Sequence, residues 1–338
     1  MPNRSGLNLP TKMIANSKWI LMMIVLIIII TIIIIHQSRK KMAILPSDEH
    51  YVMKDVYDYV YQRWYNFSKG DKWYNKYNLS MFDLLLINEI RDNWIIGPVN
   101  INNTSIPISN DSYVYEYLKL MNPEIEDPSM GQSQAIKEYF NNKMNGFFIE
   151  CGAYDGETRS NTLNLERFYN WTGILIEADP ENFSLMLQKN RRAYLSPTCL
   201  SIKSRPMNTS FLMAKNIGRI HIPHGSESNE LENSPDIAHK GTHVDVQCFP
   251  LASYIKAVNV KTVDYLSLDV EGNEMEILET IPFDKVDIKA LSVEYTHVSK
   301  GRQYMIDFMD RYGYYVYTFV NKPDNLANDI IFVKRSYI

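Results

Sequence analysis

The chain has 338 residues, of which 45% are hydrophobic and 22% charged. That is the composition of a folded globular protein, and it excludes wholesale disorder, collagen and coiled coil. At ~150 residues per domain the length allows about two domains, and a mean hydropathy of −0.26 excludes a bundle of membrane helices. The net charge of −4 hides an asymmetry. Residues 1–45 carry six basic groups (Arg4, Lys12, Lys18, Arg39, Lys40 and Lys41) and no acid, which leaves 29 basic against 39 acidic residues in the remainder. A body that acidic repels phosphate backbones, so no nucleic-acid partner is expected.

Trp19–Ile35 reads WILMMIVLIIIITIIII, 17 residues without a charge. At ~1.5 Å per residue it spans about 25 Å, near the lower limit for a bilayer. Lys18 and His36 extend it by snorkelling. The basic stretch after it, HQSRKKMAILPS, lacks the small-x-small site of a cleaved signal peptide. Thr31 alone makes no polar stripe, so a core helix does not fit either. The expectation is a tail at 1–18 and a transmembrane anchor at 19–35. Lys and Arg number three on each side of it, so charge does not orient it. Glycosylation sequons do. After the anchor there are eight, at Asn66, Asn78, Asn102, Asn103, Asn110, Asn170, Asn182 and Asn208, where chance gives about three. The five between Asn66 and Asn110 are the expected glycosylation sites. They place the body in the lumen, as in a single-pass type II protein.

Residues 36–127 read as a lumenal, aromatic-rich stem. A disordered linker is poor in aromatics, so this segment is expected to pack against the body. Val52, Val56, Val60 and Trp64 recur every four residues, which predicts a helix from about Asp48. MFDLLLINEIR, Met81 to Arg91, predicts a second. Residues 97–112, rich in Gly, Pro, Asn and Ser, read as loop. A helix from about residue 131 leads into the main domain, 128–338.

From Gly146 strands and helices alternate. FFIECGA is a buried strand, and a helix comes next over Asn161 to Tyr169 with Ser160 or Asn161 as its cap. TGILIE is a strand, and Pro180 to Asn190 a helix with Pro in its first turn. AYLSPTCLSI is a third strand region. Thr209 to Ile222 reads as a hairpin and Val244 to Phe249 as a short strand. VDYLSLD and ALSVE are strands around the helix EMEILETI. A helix covers Gln303 to Tyr312, and Tyr314 to Phe319 pairs with Asp329 to Val333. This order predicts an α/β fold with a doubly wound, mostly parallel sheet and an antiparallel edge.

The first strand ends in Glu150-Cys151-Gly152-Ala153-Tyr154-Asp155-Gly156. Two glycines allow a tight turn and close approach to a ligand. Glu177 ends the second strand, 21 residues after Gly156. A carboxylate there can accept both ribose hydroxyls of an adenosine ligand. Glu150 suits a cationic head. S-adenosylmethionine carries an ammonium, a sulfonium and a ribose but no phosphate, and it matches a site with acids and no basic cradle. The alternative is an ordinary turn beside a surface carboxylate. Asp269 and Glu271 close the strand LSLD, and Glu294 closes the next, so all face the carboxyl ends of the strands with His297 nearby.

IECGAYDGETRSNT, LIEADPENF and LSLDVEGNEMEIL resemble the FkbM-type methyltransferase domain over about residues 128–336. DPSMGQSQ, SNTLNLER, NWTGILIEADP and SPTCLS are similar to its Star-like members. The resemblance implies a class I methyltransferase, Rossmann-like fold. Carried onto this chain, it places the donor at Glu150, Gly152, Ala153, Asp155, Gly156, Glu177, Asp179 and Glu271. It also implies a membrane protein that supports export of membrane-bound growth-factor cargo from the endoplasmic reticulum towards Golgi and endosomes. The other reading is an active O-methyltransferase of a lumenal glycan or other hydroxyl acceptor. Its proton acceptor is Asp269, Glu294 or His297. His221, His224 and His243 flank a polar loop that is either a lid or a solvated insertion. A third reading takes Asp269 and Glu271 as a D-x-E metal motif of a Golgi glycosyltransferase. The glycine turn with Glu177 fits a methyltransferase better, and no metal site is expected. Cys151 reads as a free thiol. Cys199 and Cys248 are either a disulfide or two buried thiols.

Overall fold

The computed structural model describes residues 53–66, 72–98, 118–221, 241–322 and 327–337. The expected anchor at 19–35 and the sequons Asn102, Asn103 and Asn110 lie outside them. Among the described residues no helix is long and apolar enough to cross a membrane.

Five strands of the main sheet run parallel: β1 (Phe147–Cys151), β2 (Thr172–Ile176), β3 (Tyr194–Ser196), β8 (Thr262–Leu268) and β9 (Asp287–Glu294). Two more, β10 (Tyr314–Asn321) and β11 (Asn328–Lys334), complete the order β10-β11-β9-β8-β1-β2-β3. Phe148, Ile149, Ile174, Leu175, Leu266 and Leu268 are wholly buried. Unbroken apolar runs of this kind belong to parallel strands covered on both faces. The strand antiparallel to its neighbours is β11, inserted between β9 and the edge strand β10. The order reverses between β1 and β8. In such sheets that switch point, at the carboxyl ends of the strands, is where ligands bind.

Helices α4 (Gln132–Tyr139), α5 (Leu163–Tyr169), α6 (Pro180–Leu187), α8 (Glu274–Thr280) and α9 (Gly301–Arg311) keep the predicted order. Asp179 caps α6, accepting from the Glu181 and Asn182 N–H groups at 2.8 and 3.3 Å. Pro180 then occupies the position whose N–H needs no partner. Ser160 takes the capping role at α5, accepting from Leu163 N–H at 3.1 Å.

Two features differ from the sequence expectation. AYLSPTCLSI is not one strand: β3 joins the main sheet, while β4 (Cys199–Leu200) joins a second, four-stranded sheet. That sheet also holds β5 (Met207–Met213), β6 (Arg219–His221) and β7 (Thr242–Phe249), in the order β4-β7-β5-β6. The chain changes sheets at Pro197, which has no N–H to give a ladder. Helix α7 (Leu251–Ala257) gave no signal because it is buried nearly all round, and an apolar helix has no amphipathic period.

Cys199 and Cys248 stand opposite each other in the β4–β7 register and form a disulfide. Of the two readings the sequence left open, the structure shows the bridge. Cys151 is the free, buried cysteine.

The described residues before 128 pack in the same compact unit as those after it. Helix α1 (Met53–Val60) continues as a π-turn, Tyr61–Tyr65, and buries Val56, Val60 and Trp64. The Trp64 indole donates to Asn93 O at 3.0 Å and packs edge-on against Phe183 at 5.8 Å. Helix α2 (Trp73–Lys76) brings Tyr74 onto Phe249 and pairs Asn75 with Gln247. Helix α3 (Leu84–Glu89), with the π-turn Ile90–Trp94, sets Trp94 against the same Phe249. The aromatics that argued against a linker are core residues. A segment that buries this many rings cannot be a detachable stem.

Candidate functional site

The switch point is held by a turn that only glycine can make. Gly152 has φ +78, and a Cβ there would lie 1.8 Å from the Asp269 carbonyl oxygen. Its N–H and that of Ala153 donate to Ile176 O at 3.1 and 3.2 Å, which ties the end of β1 to the end of β2. Asp269 N–H donates to Cys151 O at 3.2 Å and ties β1 to β8. Backbone therefore crosses the mouth of the sheet with no side chain in the way.

Glu177 braces that turn. One carboxylate oxygen accepts from Tyr154 N–H at 2.7 Å and the other from Asp179 N–H at 2.8 Å. Burial, and then the Asp179 carboxylate, push its pKa up to about 8. Burial likewise lifts Asp179 to about 6. Asp155 is spent inside the turn, accepting from the Glu157 and Thr158 N–H groups and the Thr158 hydroxyl at 2.7 to 2.9 Å. Glu150 accepts from Ser160 Oγ at 2.9 Å, from Asn161 N–H at 2.7 Å and from Thr162 Oγ1. Burial raises its pKa, and the Arg191 guanidinium opposes that shift. Arg191 is fully buried. It pairs with Glu166 at 2.9 Å and donates to Gly156 O and to the hydroxyls of Ser160 and Thr162. This brace was not legible in the sequence, because an Arg and a Glu 25 residues apart carry no motif.

Beside the turn opens a cleft of about 360 Å³, within the range of small-molecule sites. Glu150, Gly152, Ala153, Asp269, Glu271, Glu294 and His297 all line it. Glu177 lines an adjoining hollow with Ile176, Ala178, Phe211 and Ile220, and the two share Gly152, Tyr154 and Asp269. The polar and apolar halves meet across the glycine turn. Asp179 and Gly156 line neither; they act from behind, as the cap of α6 and as a glycine whose Cβ would meet Met186 at 2.8 Å.

The acids are crowded. Burial first, and then neighbouring carboxylates, raise Asp269 to about 6, Glu294 to about 7 and Glu271 to about 9. His297 Nε2 lies 3.5 Å from the Glu271 carboxylate. Glu294 accepts from Thr296 N–H at 2.6 Å through one oxygen. Two further acids were missed by the sequence reading. Glu274, wholly buried, accepts from the Val270 and Gly272 N–H groups. Asp329, on β11 opposite Glu294, accepts from Gln132 at 2.8 Å. Glu274 hid as an ordinary helix-start acid. Asp329 needs the strand pairing to be placed. His243 is not in the cleft; it lines a separate hollow with Tyr61 and Tyr65. His224 and the loop around it lie outside the described residues.

Residues 150–316 match the family model described as Methyltransferase FkbM domain. No curated protein matches the chain. Solved structures similar to it include precorrin-6y C5,15-methyltransferase from Geobacter metallireducens GS-15, at 8% identity and TM-score 0.33 over 70% of this chain and 97% of that one. A putative RNA methyltransferase from Pyrococcus horikoshii gives 9% identity and TM-score 0.30, over 69% and 94%. A methyltransferase from Leishmania major gives 8% and 0.32, over 66% and 80%. Likeness this distant transfers neither a substrate nor a site to this chain.

Proposed function

We propose, from the FkbM methyltransferase domain that this chain carries at residues 150–316, that the cleft binds S-adenosylmethionine and that the protein methylates a hydroxyl group. The observation that carries the reading is the bare backbone at Gly152, where even a Cβ would collide with Asp269 O. It leaves a cradle with an acid on each side, Glu177 in one hollow and Glu150 in the other. Two atoms fit the donor's chemistry. Asp269 Oδ1 is buried with no hydrogen-bond partner and lines both hollows, a position suited to a cationic group. Glu177 lines the more apolar hollow, where the ribose and adenine belong.

Bound there, the donor supplies an electrophilic methyl group. The chain supplies alignment and a proton acceptor. His297 takes the proton from the acceptor hydroxyl, and Glu271 at 3.5 Å orients its ring. A cleft so rich in carboxylates repels anionic acceptors, so a neutral polyol such as a glycan is the acceptor class.

A second reading has the same domain act as a lumenal binding module in transport of membrane-bound growth-factor precursors through endoplasmic reticulum, Golgi and endosome. It is favoured by the way Glu150, Asp155 and Glu177 are all satisfied by the chain's own donors. A turn so satisfied holds its shape without a ligand. The anchor and the lumenal orientation rest on the sequence alone.

Calorimetric titration of the full chain with S-adenosylmethionine and S-adenosylhomocysteine decides between them. Micromolar binding of both is expected, and His297→Gln should keep it while losing methyl transfer. A folded protein that gives neither heat nor thermal stabilisation overturns the donor site and leaves the binding module.

A further inference from the structure

Asp269, Glu274 and Glu294 come from the end of β8, the start of α8 and the end of β9. Each offers a carboxylate oxygen, and these oxygens lie within 4.8 Å of one another. Two oxygens bound to one divalent cation at about 2.1–2.5 Å stand no more than ~4–5 Å apart, so the spacing is that of a shared ion. A cluster of acids alone would not establish a site. Here the second observation is unmet valence. Glu294 is 7% exposed and its Oε2 has no hydrogen-bond partner. Asp329, across the strand pair from Glu294, is 2% exposed and its Oδ1 has none either. Asp269 Oδ1 is a third such atom. A buried carboxylate oxygen without a donor is costly, and three such atoms line one cleft, where the Arg159 guanidinium offsets only part of the rise in the Asp269 and Glu271 pKa values. Among the described residues, the cations that line this cleft are Arg159 and His297, and His297 is engaged with Glu271.

We propose that Asp269, Glu274 and Glu294 hold one hard divalent cation of the Mg²⁺ or Mn²⁺ class at the floor of the cleft, with Asp329 balancing its charge from behind. The ligand set is all oxygen, which excludes a zinc or copper preference. Each unpartnered oxygen exposes less than 1 Å² to water, yet a bare ion is smaller than a water molecule. Asp269, half-buried, is the side from which the ion enters. Glu271, the partner of Asp269 in the D-x-E pattern, points instead to His297 and is not a ligand.

The ion site shares Asp269 with the donor position proposed above but does not require the donor, and its test uses a different ligand and readout. The full chain is stripped with chelator and titrated with Mn²⁺ alone, and free Mn²⁺ is measured by electron paramagnetic resonance. One Mn²⁺ per chain is expected, displaced by Mg²⁺. Glu294→Gln and Asp269→Asn should each weaken it more than ~10-fold. Asp310→Asn, on the exposed ion pair with Arg335, should leave it unchanged. Should Glu294→Gln fail to fold, Asp269→Asn decides alone. No bound Mn²⁺ up to ~1 mM, or binding that both cleft variants leave intact, overturns the proposal, and the acids then share protons instead.

Discussion

Replacing Gly152 by alanine tests whether the bare backbone at the switch point is a requirement. The new Cβ would stand 1.8 Å from Asp269 O. Ordinary carbon–oxygen contacts are about 3.3–3.6 Å, so one backbone must retreat by roughly 1.5 Å. Neither is free to do so. Gly152 N–H is bound to Ile176 O at 3.1 Å, and Asp269 N–H to Cys151 O at 3.2 Å. The clash therefore prises β1 from β8 at the cleft. Overpacking costs about 1–3 kcal/mol, and the left-handed backbone adds about 1–2 kcal/mol for a residue with a Cβ. Gly313 supplies the control. Its φ is +83, and nothing lies within 4 Å of its Cβ position, so Gly313→Ala carries only the backbone cost. At about 2–4 °C per kcal/mol, Gly152→Ala should melt about 4–20 °C below wild type and Gly313→Ala about 2–8 °C below. Donor affinity should fall more than ~10-fold in the first and hold in the second, since the lost contact exceeds ~1.4 kcal/mol. Thermal unfolding by circular dichroism and donor calorimetry read both. A Gly152→Ala protein that melts with Gly313→Ala and binds donor like wild type refutes the steric argument.

Trp64→Ala removes a buried indole, its hydrogen bond to Asn93 O and its contact with Phe183. It should cost about 3–5 kcal/mol while unfolding stays a single transition; proteolysis that trims residues 53–98 and leaves an equally stable body would contradict the one-unit reading. Cys248→Ser opens a bridge between residues 49 apart in sequence, worth about 4 kcal/mol, and non-reducing peptide mapping of the wild type should recover the Cys199–Cys248 pair. Burial alone would raise the Glu157 pKa, but Lys189 at 2.6 Å and the Met121 and Asn122 N–H groups hold it below the usual value. A depressed acid stabilises above the unfolded carboxyl range, and that stabilisation is lost as pH falls through the folded pKa. Lys189→Met should therefore cost about 3–5 kcal/mol near neutrality, with the gap to wild type closing below about pH 4; a gap that stays constant into acid would show that the pair is not electrostatic.

Local chemistry was enough to read much of this fold. Apolar runs marked β1, β2, β8 and β9, Pro180 and Asp179 marked the start of α6, and two glycines after β1 marked a turn. Those features are written in neighbouring residues, so the sequence carries them whole. Strand-end acids were legible for the same reason, because an acid that closes a buried strand of a doubly wound sheet must face the cleft. Sheet membership was not legible. The split at Pro197 depends on which partner each half finds, and α7 is too uniformly apolar to show a period. The charge cluster was least legible of all. Glu274 and Asp329 are ordinary in sequence, 55 residues apart. They reach Asp269 and Glu294 because β8, β9 and β11 lie side by side. The order of strands, which burial and pairing settle together, is what turned separate acids into one site.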